Sequence, residues 1–547
     1  MSPASTTTIA APKLRGWARA EYRRLSAAPD MPAATHSDIV VDRDLGVPAA
    51  DGVSLLTDHW RPAAGALGST ILVRTPYGRR GGSATARFFA ERGHHVVVQS
   101  CRGTFGSGTG DFAPFHAEAA DGRATLTWVR AQPWATGPVH TWGASYVGFT
   151  QWAVSDGPNP PDAMTIGLSA RRFQETIMRP GGGISLETML VWSYSLWLQE
   201  QPRLPRLINF LRAKRRIARA AMVLPIERAD VAAIGQTYPP FHDWLAHGDI
   251  GDPWWERVSF ASDPHTVPPA TLIAGWQDLF LAGGFQDYAA LRDAGRPVRL
   301  IAGDWTHHSP ESSVAAVREA LQRLDGAAPE PARVRIEVGG GGGWRELPDW
   351  PPPSSARTWS LTAAGGLVDG DPGALAAFEY TFDPADPTPQ AGGRSLNPFI
   401  SGRRDQRPRE TRADVLVFTS DPLDDDLTVV GDILARLALT SSNPGFDVFL
   451  RVCDVDPDGT SHSVSDAYRR APEVSEGLLD LEFPPVAHRF AAGHRIRLQV
   501  SSGAHPLHLR NFGAADPVPS SKVLVASQQM LRVGSGTPSG LVLPVSE

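Results

Sequence analysis

At 547 residues the chain exceeds one ordinary domain, so two or three domains are expected. Hydrophobic residues make 42% and charged residues 20%, which supports a sizeable core and argues against a disordered chain. A net charge of −6 with a pI near 6.3 excludes a globally basic nucleic-acid binder. The densest basic stretch, residues 213–219 (AKRRIAR), is expected to be a solvated helix face. Two widely separated cysteines, Cys101 and Cys453, make no disulfide framework and fit a reducing compartment. Residues 1–12 lack the basic and apolar regions of a secretory signal, and no apolar run is long enough to span a bilayer. A soluble, cytoplasmic chain without membrane or nucleic-acid partners is expected.

Residues 1–38 are set apart as an N-terminal extension. From residue 39, short apolar runs alternate with helical patterns. Residues 69–74 (STILVR) predict a buried strand, and 83–92 a helix with Ser83 as N-cap and Gly93 beyond its end. Residues 95–99 (HVVVQ) predict the next strand, and 117–132 a helix stopped by Pro133. Further strands are predicted at 139–142, 163–168, 271–275 and 298–303, most of them separated by helical segments. Such alternation implies a mostly parallel sheet covered on both faces, over residues 39–170 and 263–338. Residues 171–262 interrupt it with helical patterns at 186–200 and 204–222. Trp192, Trp197, Trp244, Trp254 and Trp255 make the core of this predicted helical cap. In residues 339–547 the texture becomes period-two, as at 433–440 and 496–501, which predicts a β-sandwich of jelly-roll type. The glycine run 339–343 is expected to be a flexible junction between the two.

The strongest chemical signal is Gly143-Ala144-Ser145-Tyr146-Val147-Gly148, a G-x-S-x-x-G pattern between a predicted strand and a helical pattern. A sharp strand-to-helix turn lifts a serine hydroxyl off the end of a sheet, and the glycines leave room for it. A serine hydroxyl needs a base, and the base needs an orienting carboxylate. In an α/β-hydrolase these follow in the order serine, acid, histidine, each beyond the carboxyl end of a strand. Asp278 and His307 occupy those places, after the strands predicted at 271–275 and 298–303. His308 competes directly with His307.

The carrying stretches resemble one family, the cocaine esterase and X-prolyl dipeptidyl aminopeptidase family of α/β-hydrolases. They are Asp51-Gly52-Val53, Arg74-Thr75-Pro76-Tyr77, Arg102-Gly103 with Gly106-Ser107-Gly108, Gln132-Pro133-Trp134, the Ser145 motif and Thr150-Gln151-Trp152. Ala274-Gly275-Trp276-Gln277-Asp278 and Gly303-Asp304-Trp305-Thr306-His307 supply the acid and base motifs. In the C-terminal part, residues 380–386 (YTFDPAD), Phe418-Thr419-Ser420 and residues 495–502 look like the family's jelly roll. The resemblance implies Ser145 as nucleophile, His307 as base and Asp278 as orienter. It also implies an oxyanion hole of the Tyr146 N–H and the Tyr77 hydroxyl, with no cofactor. Two departures stand out: Asp304 replaces a usual proline, and Ser100-Cys101 replaces the carboxylate common before the Arg-Gly pair.

The expected reaction is hydrolysis of a small-molecule ester or amide through an acyl-enzyme, carboxylesterase-like. X-Pro dipeptidyl-peptidase or amino-acid ester hydrolase activity would need a cap carboxylate for a substrate ammonium. Acyl transfer or cyclisation, and an inactive carbohydrate-binding scaffold, are the remaining alternatives. Homo-oligomerisation is left open. Residues 454–459 (DVDPDG) imitate a calcium loop, but position twelve is Ser465, so a hairpin turn is predicted. His116, His140, His247 and the C-terminal histidines show no metal-ligand spacing with cysteine partners, and no metal is expected.

Overall fold

The computed structural model describes residues 7–249, 251–260, 263–325, 333–443, 445–471, 477–514 and 517–546. Its main sheet contains β1 (Thr7–Ala10), β2 (Ile39–Pro48), β3 (Ser54–Pro62), β4 (Thr70–Thr75), β5 (His95–Ser100), β6 (Val139–Ala144) and β7 (Ala163–Gly167). It continues through β8 (Ala270–Gln277), β9 (Val298–Thr306), β10 (Val334–Val338) and β11 (Gly343–Leu347). The spatial order is β1-β2-β3-β5-β4-β6-β7-β8-β9-β10-β11. From β5 to β10 every neighbouring pair is parallel; β1, β2, β3 and β11 pair antiparallel at the edges. The central strands β4, β5 and β7 are buried at every residue, which is why they read as unbroken apolar runs.

Alternate residues of these strands feed opposite faces. Ile71 and Val73 join α1 (Gly16–Ala27) and α2 (Ser83–Ala90) in one apolar cluster. Leu72 and Val97 join α3 (Glu118–Arg130) in another. Ser83, expected to cap α2, lies inside it: a 3-10 turn, Arg79–Gly82, runs straight into the helix, so no side-chain cap forms. The elbow leads into α4 (Tyr146–Trp152). The cap contains α5 (Leu186–Gln199), α6 (Arg203–Ala221), α7 (Ala229–Ile234) and α8 (Pro239–Ala246). On α6 the basic stretch is amphipathic, with Ala213 and Ile217 buried while Lys214, Arg215 and Arg219 face outward. Helices α9 (Leu281–Asp293) and α10 (Pro310–Leu324) then return the chain to the sheet.

The glycine run is not a loose junction. It closes the β10–β11 hairpin, with Gly342 N–H donating to the Val338 carbonyl at 3.0 Å. Gly340 and Gly341 have positive φ (65° and 76°), which such a turn requires and side chains resist. Beyond it, the described residues form a β-rich domain of a nine-stranded and a four-stranded sheet around one apolar core. Residues 456–460 form a hairpin turn between two strands, Phe446–Val455 and Ser461–Ala471, as predicted.

Candidate active site

The site starts from one strained residue. Ser145 has φ 59° and ψ −128°, a region that costs an ordinary side chain of order 1–3 kcal/mol and is held only by its surroundings. Its N–H donates to the Gly167 carbonyl at 2.9 Å, tying the turn to β7. A Cβ at Gly143 would strike Val147, and one at Gly148 would strike Ser169, so both glycines are sterically required. Gln151 secures the turn further, its amide donating to the Gly143 carbonyl at 3.1 Å.

The ends of β8 and β9 bring the predicted partners to this turn. His307 Nε2 lies 3.0 Å from Ser145 Oγ, and His307 Nδ1 lies 2.6 Å from Asp278 Oδ2. The other carboxylate oxygen of Asp278 accepts the Phe280 N–H at 2.8 Å, so the acid is fixed at both oxygens. Both side chains are almost fully buried. The ring of Phe280 lies 5.7 Å from that of His307, giving the imidazole an apolar neighbour.

Tyr146 and Tyr77 are placed differently. The Tyr146 phenol points into the core, donating to Glu118 Oε1 at 2.8 Å and accepting the Phe115 N–H at 2.7 Å. Glu118 is itself paired with buried Arg74 at 3.0 Å. Only the backbone N–H of Tyr146 is left for a ligand: it opens α4, where the helix has no carbonyl for it. Tyr77 accepts the Trp192 indole N–H at 3.3 Å. Burial pushes its phenol up to about 12, with hydrogen bonding from Trp192 and Ser145 acting in the opposite direction.

The two departures from the family pattern have local roles. Asp304 donates its N–H to Glu337 at 2.9 Å and pairs with Arg403 at 3.4 Å; a proline would lose the first. Ser100 Oγ accepts from Arg79 at 2.9 Å. Burial raises the neighbouring Cys101 thiol well above its ordinary range, and Cys101 and Cys453 are both free.

Sequence reasoning did not find the surrounding wall. Phe115, Phe173, Trp192 and Phe280 form one cluster with Tyr146, and Leu396 of the C-terminal domain packs against it. Phe115, Phe280 and Leu396 come from separate loops and Trp192 from α5, and none of the four belongs to a local motif. A cavity of about 620 Å³ lies between the loop after β5 and the cap, walled by Trp197, Tyr238, Trp244 and Trp254, with Glu200 and Asp243 on its lining. A second, of about 420 Å³, touches His307 and Ala144 from the side of α1 and α10. Asp454, Asp456 and His494 bring potential ligand atoms within 4.8 Å of one another, a grouping that spacing alone did not reveal. Asp454 is already bonded to His488 and His494, each at 2.8 Å.

Comparison with known proteins adds independent information. Residues 51–309 match the X-Pro dipeptidyl-peptidase (S15 family), and residues 326–542 match the X-Pro dipeptidyl-peptidase C-terminal non-catalytic domain. The chain is 30% identical to cocaine esterase of Rhodococcus sp. (strain MB1 Bresler) over 565 residues, covering 91% of this chain and 97% of that protein. The chain belongs to the CocE/NonD-type α/β-hydrolase family. As a member of this family it is a hydrolase of the serine-esterase type. Its fold is shared with an aminopeptidase from a marine sediment archaeon, Thaumarchaeota archaeon (TM-score 0.77, 21% identity, 95% of this chain and 99% of that one). It is shared equally with an α-amino acid ester hydrolase (TM-score 0.77, 22% identity, 95% and 99%). No helix among the described residues is long and apolar enough to cross a membrane.

Proposed function

We propose that this CocE/NonD-type hydrolase cleaves a small-molecule carboxylic ester or amide through an acyl-enzyme on Ser145. The observation that carries the reading is the continuous line from Asp278 through His307 to Ser145, with spacings of 2.6 and 3.0 Å. Asp278 holds the imidazole with its proton on Nδ1, leaving Nε2 to take the serine proton as Oγ attacks the carbonyl carbon. The tetrahedral oxygen accepts from the Tyr146 N–H and the Tyr77 hydroxyl, two donors fixed before the charge develops. His307 then gives its proton to the leaving group, and water repeats the sequence to release the acid. None of these steps calls for a cofactor. Fluorophosphonate labelling followed by peptide mass spectrometry tests the reading: the adduct should sit on Ser145, and turnover without it would sink the proposal.

A second reading is an amine-bearing substrate such as an aminoacyl ester or X-Pro amide: the exposed carboxylates Glu200 and Asp243 line the aromatic-walled cavity beside the cap, whose lining does not itself include Ser145 or His307. Comparing an aminoacyl ester with its N-acetylated counterpart decides this, since only the first carries an ammonium. We further divide the chain into an extension (1–38), a hydrolase domain (39–170 and 263–338), a cap (171–262) and a jelly-roll domain (339–547). The two free, buried cysteines fit a cytoplasmic setting.

A further inference from the structure

Glu187, in the first turn of α5, is fully buried, and the carboxylate oxygens accept from neutral donors of the C-terminal domain. Ser395 gives its hydroxyl to one oxygen, and the Asn397 amide gives an N–H to the other at 3.2 Å. Burial raises the carboxyl above its usual range, with hydrogen bonding from Ser395, Asn397 and Gln390, also of the C-terminal domain, opposing the shift. A carboxylate in such a place is expensive to bury, and replacing it with apolar packing would often stabilise the fold.

What the arrangement fixes is the residue between the two donors. Leu396 sends its side chain against the apolar cluster that contains Trp192 and Phe280. Its carbonyl accepts from His308 Nε2 at 2.7 Å, next to the base His307. Ser395 also accepts the Asn397 N–H at 2.9 Å, so the three residues form one tight turn. The cap and C-terminal domain are joined beside it, where Glu187 N–H donates to the Pro506 carbonyl at 2.9 Å.

We propose that Glu187 is a positioning residue: through Ser395 and Asn397 it holds Leu396 so that the His307–His308 loop is anchored and one side of the site is closed. The inference rests on the serine-hydrolase reading above. Activity then depends on a contact between cap and C-terminal domain, although neither contributes a member of the Ser145–His307–Asp278 line. Specificity depends on it too, because Leu396 is part of the wall that meets the substrate.

The test compares Glu187→Ala, Glu187→Gln and Leu396→Ala for kcat and KM on acetyl and benzoyl aryl esters, with melting temperature as the check on folding. Glutamine can keep both bonds, since the Ser395 hydroxyl accepts as well as donates. Glu187→Ala should lose about tenfold or more in kcat, the consequence of two buried partners left unmatched, while Glu187→Gln stays within about threefold of wild type. Glu187→Ala and Leu396→Ala should also shift the acetyl-to-benzoyl ratio in the same direction. A folded Glu187→Ala with wild-type kinetics, or a glutamine variant no better than alanine, overturns the proposal. If Glu187→Ala does not fold, Ser395→Ala and Asn397→Ala each remove one bond, and unchanged kinetics in both overturn it equally. Failure of the serine-hydrolase reading looks different: the wild type would turn over ester without labelling at Ser145.

Discussion

His308 turns away from Ser145 and gives its Nε2 proton to the Leu396 carbonyl at 2.7 Å, its ring perpendicular to that of His307. Adjacent histidines at the end of one strand therefore face different partners, and only His307 reaches the serine. His307→Ala should lose about 10⁴-fold or more in kcat, as for other groups that act as a unit with a nucleophile. His308→Ala should lose about tenfold or less, through the loosened loop alone. Parallel kinetics of the two variants decide the assignment; a dead His308 variant beside an active His307 variant would reverse it.

Ser145→Ala removes one hydroxyl from a turn that glycines and the Gly167 carbonyl already hold. Turnover should drop on the order of a million-fold while the melting temperature stays near wild type. Intact-mass analysis after incubation with an aryl ester should show an acyl adduct on the parent enzyme and none on the variant. Near-normal turnover by the variant would move the nucleophile elsewhere.

The elbow and the strand ends were legible in the sequence because each has a local signature: a glycine-flanked serine, or a polar residue just past an apolar strand. The sheet was legible for the same reason, since strands buried on both faces cannot hide their composition. The wall around Ser145 was not. Trp192, Phe280 and Leu396 meet only after the cap and the C-terminal domain fold over the sheet, and each reads locally as ordinary core. Gly339–Gly343 misled because flexible linkers and tight hairpins both favour glycine, and the pairing of Val334 with Leu347 is visible only in the register. Ser83 misled because a 3-10 turn replaced the cap that a serine would supply.

Buried histidines set the acid stability. Burial holds His94, His95 and His140 down at about 4, and His505 and His508 at about 3. The unfolded chain protonates such groups near pH 6.5, whereas the folded chain keeps them neutral. Their contribution is therefore complete above pH 6.5 and is lost as pH falls toward 4, because the unfolded state binds more protons there. Glu21 and Asp287, both raised by burial to about 7, work the other way: their contribution is lost as pH rises through 7. With these five histidines against these two acids, the urea midpoint should fall between pH 7 and pH 5. His508→Gln should flatten the slope by about 1.4 kcal/mol per pH unit, one proton's worth. A slope unchanged by that variant would count against the neutral, buried state of His508.

Tyr77 is the least usual part of the proposed machinery, because its hydroxyl would share the oxyanion with a backbone N–H. Its oxygen already accepts from the Trp192 indole, which leaves its own proton free to point toward Ser145. With the phenol held at about 12, it keeps that proton across the working pH range and so retains an O–H to donate. Tyr77→Phe removes the donor and keeps the ring, so packing against the cap cluster should persist. The expected loss is about 100- to 1,000-fold in kcat, near 3–4 kcal/mol, with KM little changed, because the donor serves charge that exists only in the transition state. Trp192→Phe should cost less, since the indole touches the donor and not the oxyanion. A raised KM with unchanged kcat would make Tyr77 a substrate-binding residue instead. A large fall in melting temperature would make it a core tyrosine, and silence in both assays would leave the oxyanion to backbone groups alone.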